Sequence, residues 1–242
     1  MIVLGLDGSL GGPGVALADE AGLRAACWAG PGSRPAGTLL ALAEGALTTE
    51  GLCPRDIGGV AVAVGPGSYA GVRAAVMTAK CLGHAAGWPL VAIGSLEALA
   101  RGVGPWPGPV WTALDARRDR CYAAAFRWGA GGGLLPEGEP TLWARDALRR
   151  AAAAASGGPL LLVGTGWDEG DRCALAAERA EGAWLSPATA ATALAPAVAL
   201  RGRQLLLGGV TTDPLALVPL YVGEPVIGRP AADGRAGRPR PG

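Results

Sequence analysis

The stretch VAVAVGPGSYAGVRAAVMTAKCLG, residues 60–83, decides how the first half of the chain folds. Its first five residues are small and apolar, which predicts a buried strand over residues 60–64. The glycines and the proline of GPGS permit a sharp, stiff turn, and Ser68 is well placed to cap the helix that follows. Because a helix N-terminus can hold an anion, the turn raises the question of a phosphate site.

The spacing of this turn differs from that of known phosphate loops. A P-loop has lysine directly after its last glycine, whereas Val72 and Arg73 follow Gly71 here. The dinucleotide fingerprint G-x-G-x-x-G is one residue shorter than the spacing of Gly65, Gly67 and Gly71. A proline also stands where the nucleophile elbow G-x-S-x-G needs glycine. We therefore interpret the turn as a capped hinge that launches a helix, with anion binding as the alternative.

The helix after the turn is apolar on two faces. At 100° per residue, the face expected to cover a sheet carries Val72, Ala75, Val76, Ala79, Leu82 and Ala86. The opposite face, where water normally favours charge, carries Ala74, Met77, Thr78, Cys81 and Ala85. A narrow polar stripe lies between them and consists of Arg73, Lys80 and His84. Such a helix is either covered by a third layer of the same chain or docked on a partner, and the pattern favours neither.

Two segments of the chain recur in its second half. Residues 2–19 and 110–128 each combine an apolar strand ending in Leu-Asp, a turn and a second strand. Residues 60–68 and 159–167 each run from a hydrophobic strand into a Gly-x-Gly loop. We predict an α/β protein of two related lobes, each with a sheet and helices. The predicted boundaries are 1–104 for the N-terminal lobe, 105–222 for the C-terminal lobe and 223–242 for a disordered tail.

Local patterns predict further elements. VALADEAGLRAACWA is typical of a hairpin with DEAG as its turn, TLLALAEGALTTEGL has helical spacing, and PLVAIGS is typical of a strand. Ser95 is expected to cap the short helix LEALARG, and Ala-rich helices are expected near residues 144–155 and 188–207.

The composition favours a soluble cytoplasmic protein. The chain has 242 residues, half of them hydrophobic, and a formal net charge of +1, which argues against gripping a long polyanion alone. The five cysteines are odd in number and form no C-x-x-C pair, as expected of reduced thiols in the cytoplasm. No apolar run reaches the ~18 residues of a membrane span, and the N-terminus shows no signal peptide.

Few residues carry obvious chemistry. His84, the single histidine, has no acidic or histidine partner three or four positions away, and no spaced ligand cluster predicts a metal or peptidase site. Asp7 and Asp115 each end a buried strand. Carboxylates there can bind magnesium and position phosphates, or can cap the adjacent turns, and the turn interpretation is favoured because neither has an acidic neighbour.

Together these residues resemble the TsaB (YeaZ) family. The resemblance rests on VLGLDGS, VAVGPGSYAGVRAAVMTAKCLG, GWPLVAIGSLEALA, LDARRDRCYAA and VPLYV, and is strongest from residue 1 to about residue 125. It implies a two-lobed fold of the actin, Hsp70 and sugar-kinase (RNase H-like) class. It also implies a non-catalytic subunit that activates TsaD. With the ATPase TsaE, these proteins transfer threonylcarbamoyl to the adenosine next to the anticodon of tRNAs that read ANN codons.

The resemblance also implies where function lies. The helix after GPGS would bind TsaD, or a second copy in a homodimer, through Arg73, Ala74, Met77, Thr78 and Cys81. A remnant nucleotide site would comprise Asp7, Ser9, Gly65, Gly67, Ser68 and Asp115. No catalytic residue, metal or tightly bound cofactor is expected in this chain. ATP and magnesium would be used by the complex, and tRNA would be contacted indirectly.

The chain departs from the family pattern at three places. Gly8 replaces the threonine of D-T-S, Ala70 replaces the threonine of F-T-G, and Val222 and Gly223 follow Tyr221 where P-x-Y-x-R ends in arginine. Loss of the two threonine hydroxyls weakens the case for a nucleotide site. The contact that the final arginine makes in the family is absent from this chain. The alternative function is an ATP-dependent enzyme of the same fold that acts alone, with Asp7 and Asp115 facing a nucleotide between the lobes.

Overall fold

The computed structural model describes residues 1–30, 32–186 and 194–222. The predicted disordered tail and the first part of the helix predicted from residue 188 lie outside these residues. The strands are β1 (Ile2–Asp7), β2 (Gly14–Asp19), β3 (Gly22–Trp28), β4 (Ile57–Ala63), β5 (Leu90–Ile93), β6 (Pro109–Asp115), β7 (Arg120–Trp128), β8 (Leu134–Pro136), β9 (Thr141–Ala144), β10 (Leu160–Val163) and β11 (Ala183–Leu185). The helices are α1 (Pro35–Thr49), α2 (Tyr69–Ala86), α3 (Ser95–Gly102), α4 (Arg145–Ala154), α5 (Glu169–Glu178) and α6 (Ala195–Leu207).

The first sheet has the strand order β3-β2-β1-β4-β5. The predicted hairpin is confirmed, since β1, β2 and β3 are antiparallel neighbours, whereas β1, β4 and β5 run parallel. The strand predicted over residues 60–64 is β4, which begins three residues earlier, at Ile57. Its residues from Val60 to Ala63 are all buried, as expected of a parallel strand covered on both faces.

The second sheet repeats this topology. Its order is β8-β7-β6-β10-β11, so β6 and β10 take the places that β1 and β4 hold in the first sheet. The hairpin β6–β7 is antiparallel, and β10 runs parallel to β6 and β11. β9 also pairs with β7, at the end opposite to β8. The two related lobes predicted from the repeated segments are therefore confirmed.

Two helices cross between the lobes. α3 follows the first sheet in sequence but packs on β6 and β7 of the second. α6 follows the second sheet but packs on β1, β2 and β4 of the first. The approach is close, because a Cβ at Gly202 in α6 would lie 2.1 Å from the Ala61 Cβ in β4. After α6 the chain stays on the first lobe, where the Thr212 N–H donates to the Leu90 carbonyl at 2.7 Å. The lobes are thus not separate in sequence.

Buried side chains form a core on each side of both sheets. Leu39 of α1 and Val72 of α2 pack on the outer side of the first sheet. Leu96 and Val198 from the crossing helices lie between the sheets, and Leu148 lies on the outer side of the second sheet. The order of layers is therefore helices, sheet, helices, sheet, helices. None of the helices in the described ranges is long and apolar enough to cross a membrane.

The prediction that Ser95 caps α3 is wrong. Gly94 is the N-cap, and Ser95 is the first helical residue. The Ser95 side chain is buried, and its Oγ has no hydrogen-bond partner among the described residues. Its backbone N–H instead donates to the Gly65 carbonyl at 2.8 Å, which ties α3 to the GPGS turn.

Candidate functional site

α2 begins as the sequence predicts. Ser68 is its N-cap, and the Ser68 Oγ accepts a hydrogen bond from the Gly71 N–H at 3.3 Å. Gly87 ends the helix in the left-handed conformation, with φ of 70°, which glycine adopts without steric cost. The turn and cap therefore fix where the helix starts and stops, and hence which residues point away from the sheet.

One face of α2 covers the first sheet. Val72, Ala75, Val76 and Ala79 are buried, and Leu82 is partly buried, as predicted. Ala86 is exposed, contrary to the prediction, because it lies in the last turn of the helix, directly before Gly87 redirects the chain. Burial of this face fixes the rotation of the helix about its axis.

The opposite face of α2 is open. Met77 is 59% exposed, and Arg73 and Cys81 are also exposed, whereas Ala74 and Thr78 are partly buried. α1 lies beside α2 but leaves Met77 and Cys81 uncovered. Within the described ranges, no third layer of this chain covers them, which favours the second of the two alternatives left open by the helical pattern.

An aromatic pair extends this open face. Tyr69 is 62% exposed, Tyr221 is 56% exposed, and their ring centroids are 5.8 Å apart. The Arg73 Nη1 donates to the Tyr69 hydroxyl at 2.9 Å, and its guanidinium lies 5.1 Å from the centroid of the Tyr69 ring. We define Tyr69, Arg73, Met77, Cys81 and Tyr221 as the α2 surface.

Sequence reasoning missed both tyrosines. Tyr221 reaches the helix because the C-terminal segment is held along the first lobe. The Lys80 Nζ donates to the Leu217 carbonyl at 3.1 Å, and the Leu220 N–H donates to the Val64 carbonyl at 2.7 Å. The buried Leu217 side chain joins the core under α2. The apolar run LALVPLY and the resemblance of VPLYV to the end of the family pattern were the available signals, and neither specifies a contact with a distant helix.

The turn after β1 packs directly on the GPGS turn. The Ser68 N–H donates to the Ser9 carbonyl at 2.8 Å. A Cβ on Gly8 would lie 2.3 Å from the Gly71 carbonyl oxygen, and a Cβ on Gly67 would lie 2.5 Å from the Ser9 carbonyl oxygen. Backbone therefore fills the space between the two turns, and the N–H group of Ser68 is already bonded.

Asp7 is buried beneath these turns. Its Oδ1 accepts from the Ser9 N–H at 2.8 Å and from the Ser9 Oγ at 2.6 Å. Burial raises the pKa of the Asp7 carboxyl to about 6, and the hydrogen bonds from Ser9 oppose part of that shift. This geometry agrees with the turn interpretation of Asp7.

Asp115 lies in the second lobe and is exposed. Its Oδ1 accepts from the Arg117 N–H at 2.9 Å, as in an Asx turn, and its own N–H donates to the Thr165 Oγ1 at 3.3 Å. The structure thus brings Asp7, Ser9, Gly67 and Ser68 together, while no hydrogen bond or ion pair among the described residues joins Asp115 to them. No group of three or more His, Cys, Asp or Glu residues suited to a metal occurs in the residues the structure describes.

Comparison with known sequences gives two kinds of similarity. The family model described as "TsaD: tRNA N6-adenosine threonylcarbamoyltransferase" matches residues 36–132, fewer than half of the chain. The tRNA threonylcarbamoyladenosine biosynthesis protein TsaB of Bacillus subtilis is 38% identical over 80 residues, 33% of this chain and 35% of that protein. TsaB of Escherichia coli is 30% identical over 131 residues, 53% of this chain and 56% of that protein. The alignments thus span between about a third and just over half of these relatives' length.

Comparison with solved structures covers nearly the whole chain. YeaZ from Pseudomonas aeruginosa superposes with a TM-score of 0.74 over 91% of this chain and 99% of that one, at 22% identity. At that identity the match shows the fold, which is the two-lobed actin-like class expected from the sequence. The shared fold and the sequence similarity to the two TsaB proteins agree. The chain is thus similar in sequence to TsaB proteins over part of its length and similar in fold to YeaZ over nearly all of it.

Proposed function

We propose that this chain is a non-catalytic subunit in the biosynthesis of threonylcarbamoyladenosine in tRNA. It binds TsaD through the α2 surface and activates transfer of threonylcarbamoyl to the adenosine next to the anticodon of tRNAs that read ANN codons. The names of the Bacillus subtilis and Escherichia coli relatives support the process. The observation that carries the partner role is the exposure of Met77 on a helix whose other face is buried.

The composition of the α2 surface suits a protein partner. Tyrosine, arginine and methionine are enriched in interface cores, and methionine adapts its shape to the opposing surface. Each Å² of apolar surface that binding removes from water contributes roughly 25 cal/mol of favourable free energy. The contact between Arg73 and Tyr69 holds both side chains in place before binding, which reduces the entropy lost on association.

The hydrogen bonds at the ends of β1 and β6 support a non-catalytic role for this subunit. The Asp7 carboxyl is engaged by Ser9, and the Asp115 carboxyl is engaged by the Arg117 N–H. We infer that ATP and magnesium are consumed by the larger complex with TsaE rather than held tightly by this chain. A second copy of the chain is the other partner that could occupy the same face in the absence of TsaD.

The ATP-dependent enzyme stays the alternative, and no contact among the described residues favours it. Titration calorimetry of the isolated chain with ATP and magnesium separates the two functions. The subunit role predicts no tight one-site binding and no turnover. Tight binding together with hydrolysis by the chain alone would favour the enzyme.

Reconstitution tests the proposed function as a whole. TsaD, TsaE, threonylcarbamoyl-adenylate, ATP, magnesium and unmodified tRNA are combined with and without this chain. Modified adenosine is then measured by mass spectrometry of tRNA digests. We expect modification only when the chain is present, together with its co-elution with TsaD in size-exclusion chromatography. Equal modification in both reactions would contradict the proposal.

A further inference from the structure

The hairpin between β6 and β7 carries an unusual turn. Arg117, Arg118 and Asp119 are consecutive and have φ angles of 65°, 53° and 57°. They are the only non-glycine residues with positive φ in the described ranges. Side chains other than those of glycine, asparagine and aspartate rarely adopt this conformation, because the Cβ approaches the following carbonyl oxygen.

The residues in this turn are not the ones its geometry favours. The Ala116 N–H donates to the Arg120 carbonyl at 2.8 Å, and the Arg120 N–H donates to the Arg117 carbonyl at 3.2 Å. The second bond closes a turn in which Arg118 and Asp119, both with positive φ, are the central residues. Hairpin turns of this kind favour Asn-Gly. Residues whose backbone conformation departs from their local preference tend to occur at functional sites.

The second lobe holds the turn in place from one side. The Arg145 N–H donates to the Asp119 carbonyl at 3.1 Å, and the Arg145 Nε lies 3.5 Å from the Asp119 Oδ1. The Arg145 Nη1 also pairs with the buried Asp171 at 2.8 Å. Asp115 binds the Arg117 N–H. The carboxylates of both acidic residues in the hairpin therefore have partners: Asp115 accepts from the Arg117 N–H, and Asp119 pairs with Arg145.

The arginine side chains of the turn form no hydrogen bond with the rest of the described residues. The side chains of Arg117, Arg118 and Arg120 are exposed, and none pairs with another residue in the described ranges. Most other arginines there do form ion pairs, namely Arg24, Arg101, Arg127, Arg145, Arg149, Arg172, Arg179 and Arg201. Three free guanidinium groups are thus concentrated within four positions on one braced turn, in a chain of nearly neutral charge.

We propose that this arginine turn, Arg117, Arg118 and Arg120, binds phosphate groups of the tRNA backbone directly. Guanidinium groups pair with phosphate oxygens in a bidentate manner, and a braced turn loses little entropy when it binds. Since the formal net charge is only +1, the contact supplements tRNA binding by the partner rather than replacing it. This inference rests on the proposed function, which brings tRNA to the complex.

The test compares two variants with the same loss of charge. Arg117→Asn with Arg118→Asn removes two guanidinium groups, and asparagine tolerates positive φ, so the hairpin is retained. Arg34→Gln with Arg55→Gln removes two exposed arginines of the first lobe that also have no side-chain partner in the described ranges, and serves as the control. Binding of a fluorescently labelled ANN-reading tRNA to the complex with TsaD is followed by anisotropy between 50 and 200 mM salt, conditions over which phosphate contacts weaken measurably.

We expect the turn variant to bind tRNA roughly tenfold more weakly at the low salt concentration, with a log–log salt slope shallower by about 1 to 2. The control should match the wild type. Equal affinity and slope for the turn variant and the control would overturn the proposal. Displacement of the tRNA by excess ATP from the wild-type complex but not from the complex of the turn variant would also overturn it, because the turn would then bind a free nucleotide.

Two different measurements distinguish failure of the proposed function from failure of the tRNA-binding inference. Co-elution with TsaD reports association of the two proteins, whereas anisotropy reports contact with tRNA. If the wild-type chain does not co-elute with TsaD, the proposed function fails, and the same titration with the isolated chain still compares the turn variant with the control. A turn variant that co-elutes normally but binds tRNA like the wild type overturns the inference alone.

Discussion

Tyr69, the first residue of α2, and Tyr221, near the end of the described chain, lie with their ring centroids 5.8 Å apart and their planes inclined by 35°. The pair joins the C-terminal segment to the helix whose outer face we assign to partner binding. Because both rings are more than half exposed, the contact shapes the surface more than it stabilises the fold. The proposed interface therefore contains residues from distant parts of the sequence.

Replacing Tyr221→Ala should weaken TsaD binding while leaving the fold intact. The variant removes an exposed aromatic ring and frees Tyr69, and we expect about a 5- to 30-fold loss of affinity, as is common for a central aromatic residue of an interface. Surface plasmon resonance measures the affinity, and thermal unfolding checks the fold. Leu135→Ala, an exposed apolar residue on β8, is the control. Unchanged affinity for Tyr221→Ala would place the tyrosine pair outside the interface.

Asp7 should make the stability of the protein depend on pH. Its pKa rises from 3.8 to about 6 on folding, so the ionised carboxyl destabilises the folded state. This destabilisation is fully present above pH ~6, falls as the pH drops towards 4, and amounts to about 3 kcal/mol. In Asp7→Asn, the amide oxygen can still accept from Ser9.

We therefore expect Asp7→Asn to have a higher free energy of unfolding than the wild type at pH 8, by about 1–3 kcal/mol, and a similar value at pH 4. Urea denaturation at the two pH values provides the measurement. A difference between the two proteins that stays constant with pH would show that folding leaves the Asp7 carboxyl unperturbed.

Gly71→Ala should disrupt the junction between β1 and α2. A Cβ at this position would lie 1.8 Å from the Gly8 carbonyl oxygen, so one of the two turns must move. We expect a loss of about 2–4 kcal/mol in the free energy of unfolding, as for other substitutions that force backbone shifts. Gly45→Ala, at a helical position of α1 with nothing within 4 Å of the added Cβ, should instead stabilise by about 0.5–1 kcal/mol. Similar effects of both substitutions on chemical denaturation would refute the tight junction.

Local patterns predicted much of the fold because they specify local geometry. The GPGS turn, the Ser68 cap and the buried face of α2 follow from residue types and helical spacing alone. The repeated strand–Leu-Asp–turn pattern predicted the second lobe because β6 and β7 rebuild the topology of β1 and β2. The two apolar faces of α2 also identified Met77 as a candidate, although the pattern did not decide whether another layer covers it.

Long-range contacts were not predictable in this way. The crossing of α3 and α6 between the lobes and the contact of Tyr221 with Tyr69 depend on tertiary packing, on which a local pattern has no bearing. The error at Ser95 arose because serine favours N-caps, yet the chain already turns at Gly94. The left-handed arginine turn was missed because arginine carries no signal for positive φ.

The affinity of Met77→Glu for TsaD tests the central claim most directly. Titration calorimetry compares the wild type, Met77→Glu and the control Leu135→Glu, which adds the same charge at an exposed apolar residue of the other lobe. A carboxylate buried without a partner in an interface is costly, so we predict that Met77→Glu weakens binding by at least about 100-fold while Leu135→Glu changes it little. Both variants should unfold at the temperature of the wild type, since both side chains are exposed. If Met77→Glu binds TsaD as tightly as Leu135→Glu, the outer face of α2 is not the interface.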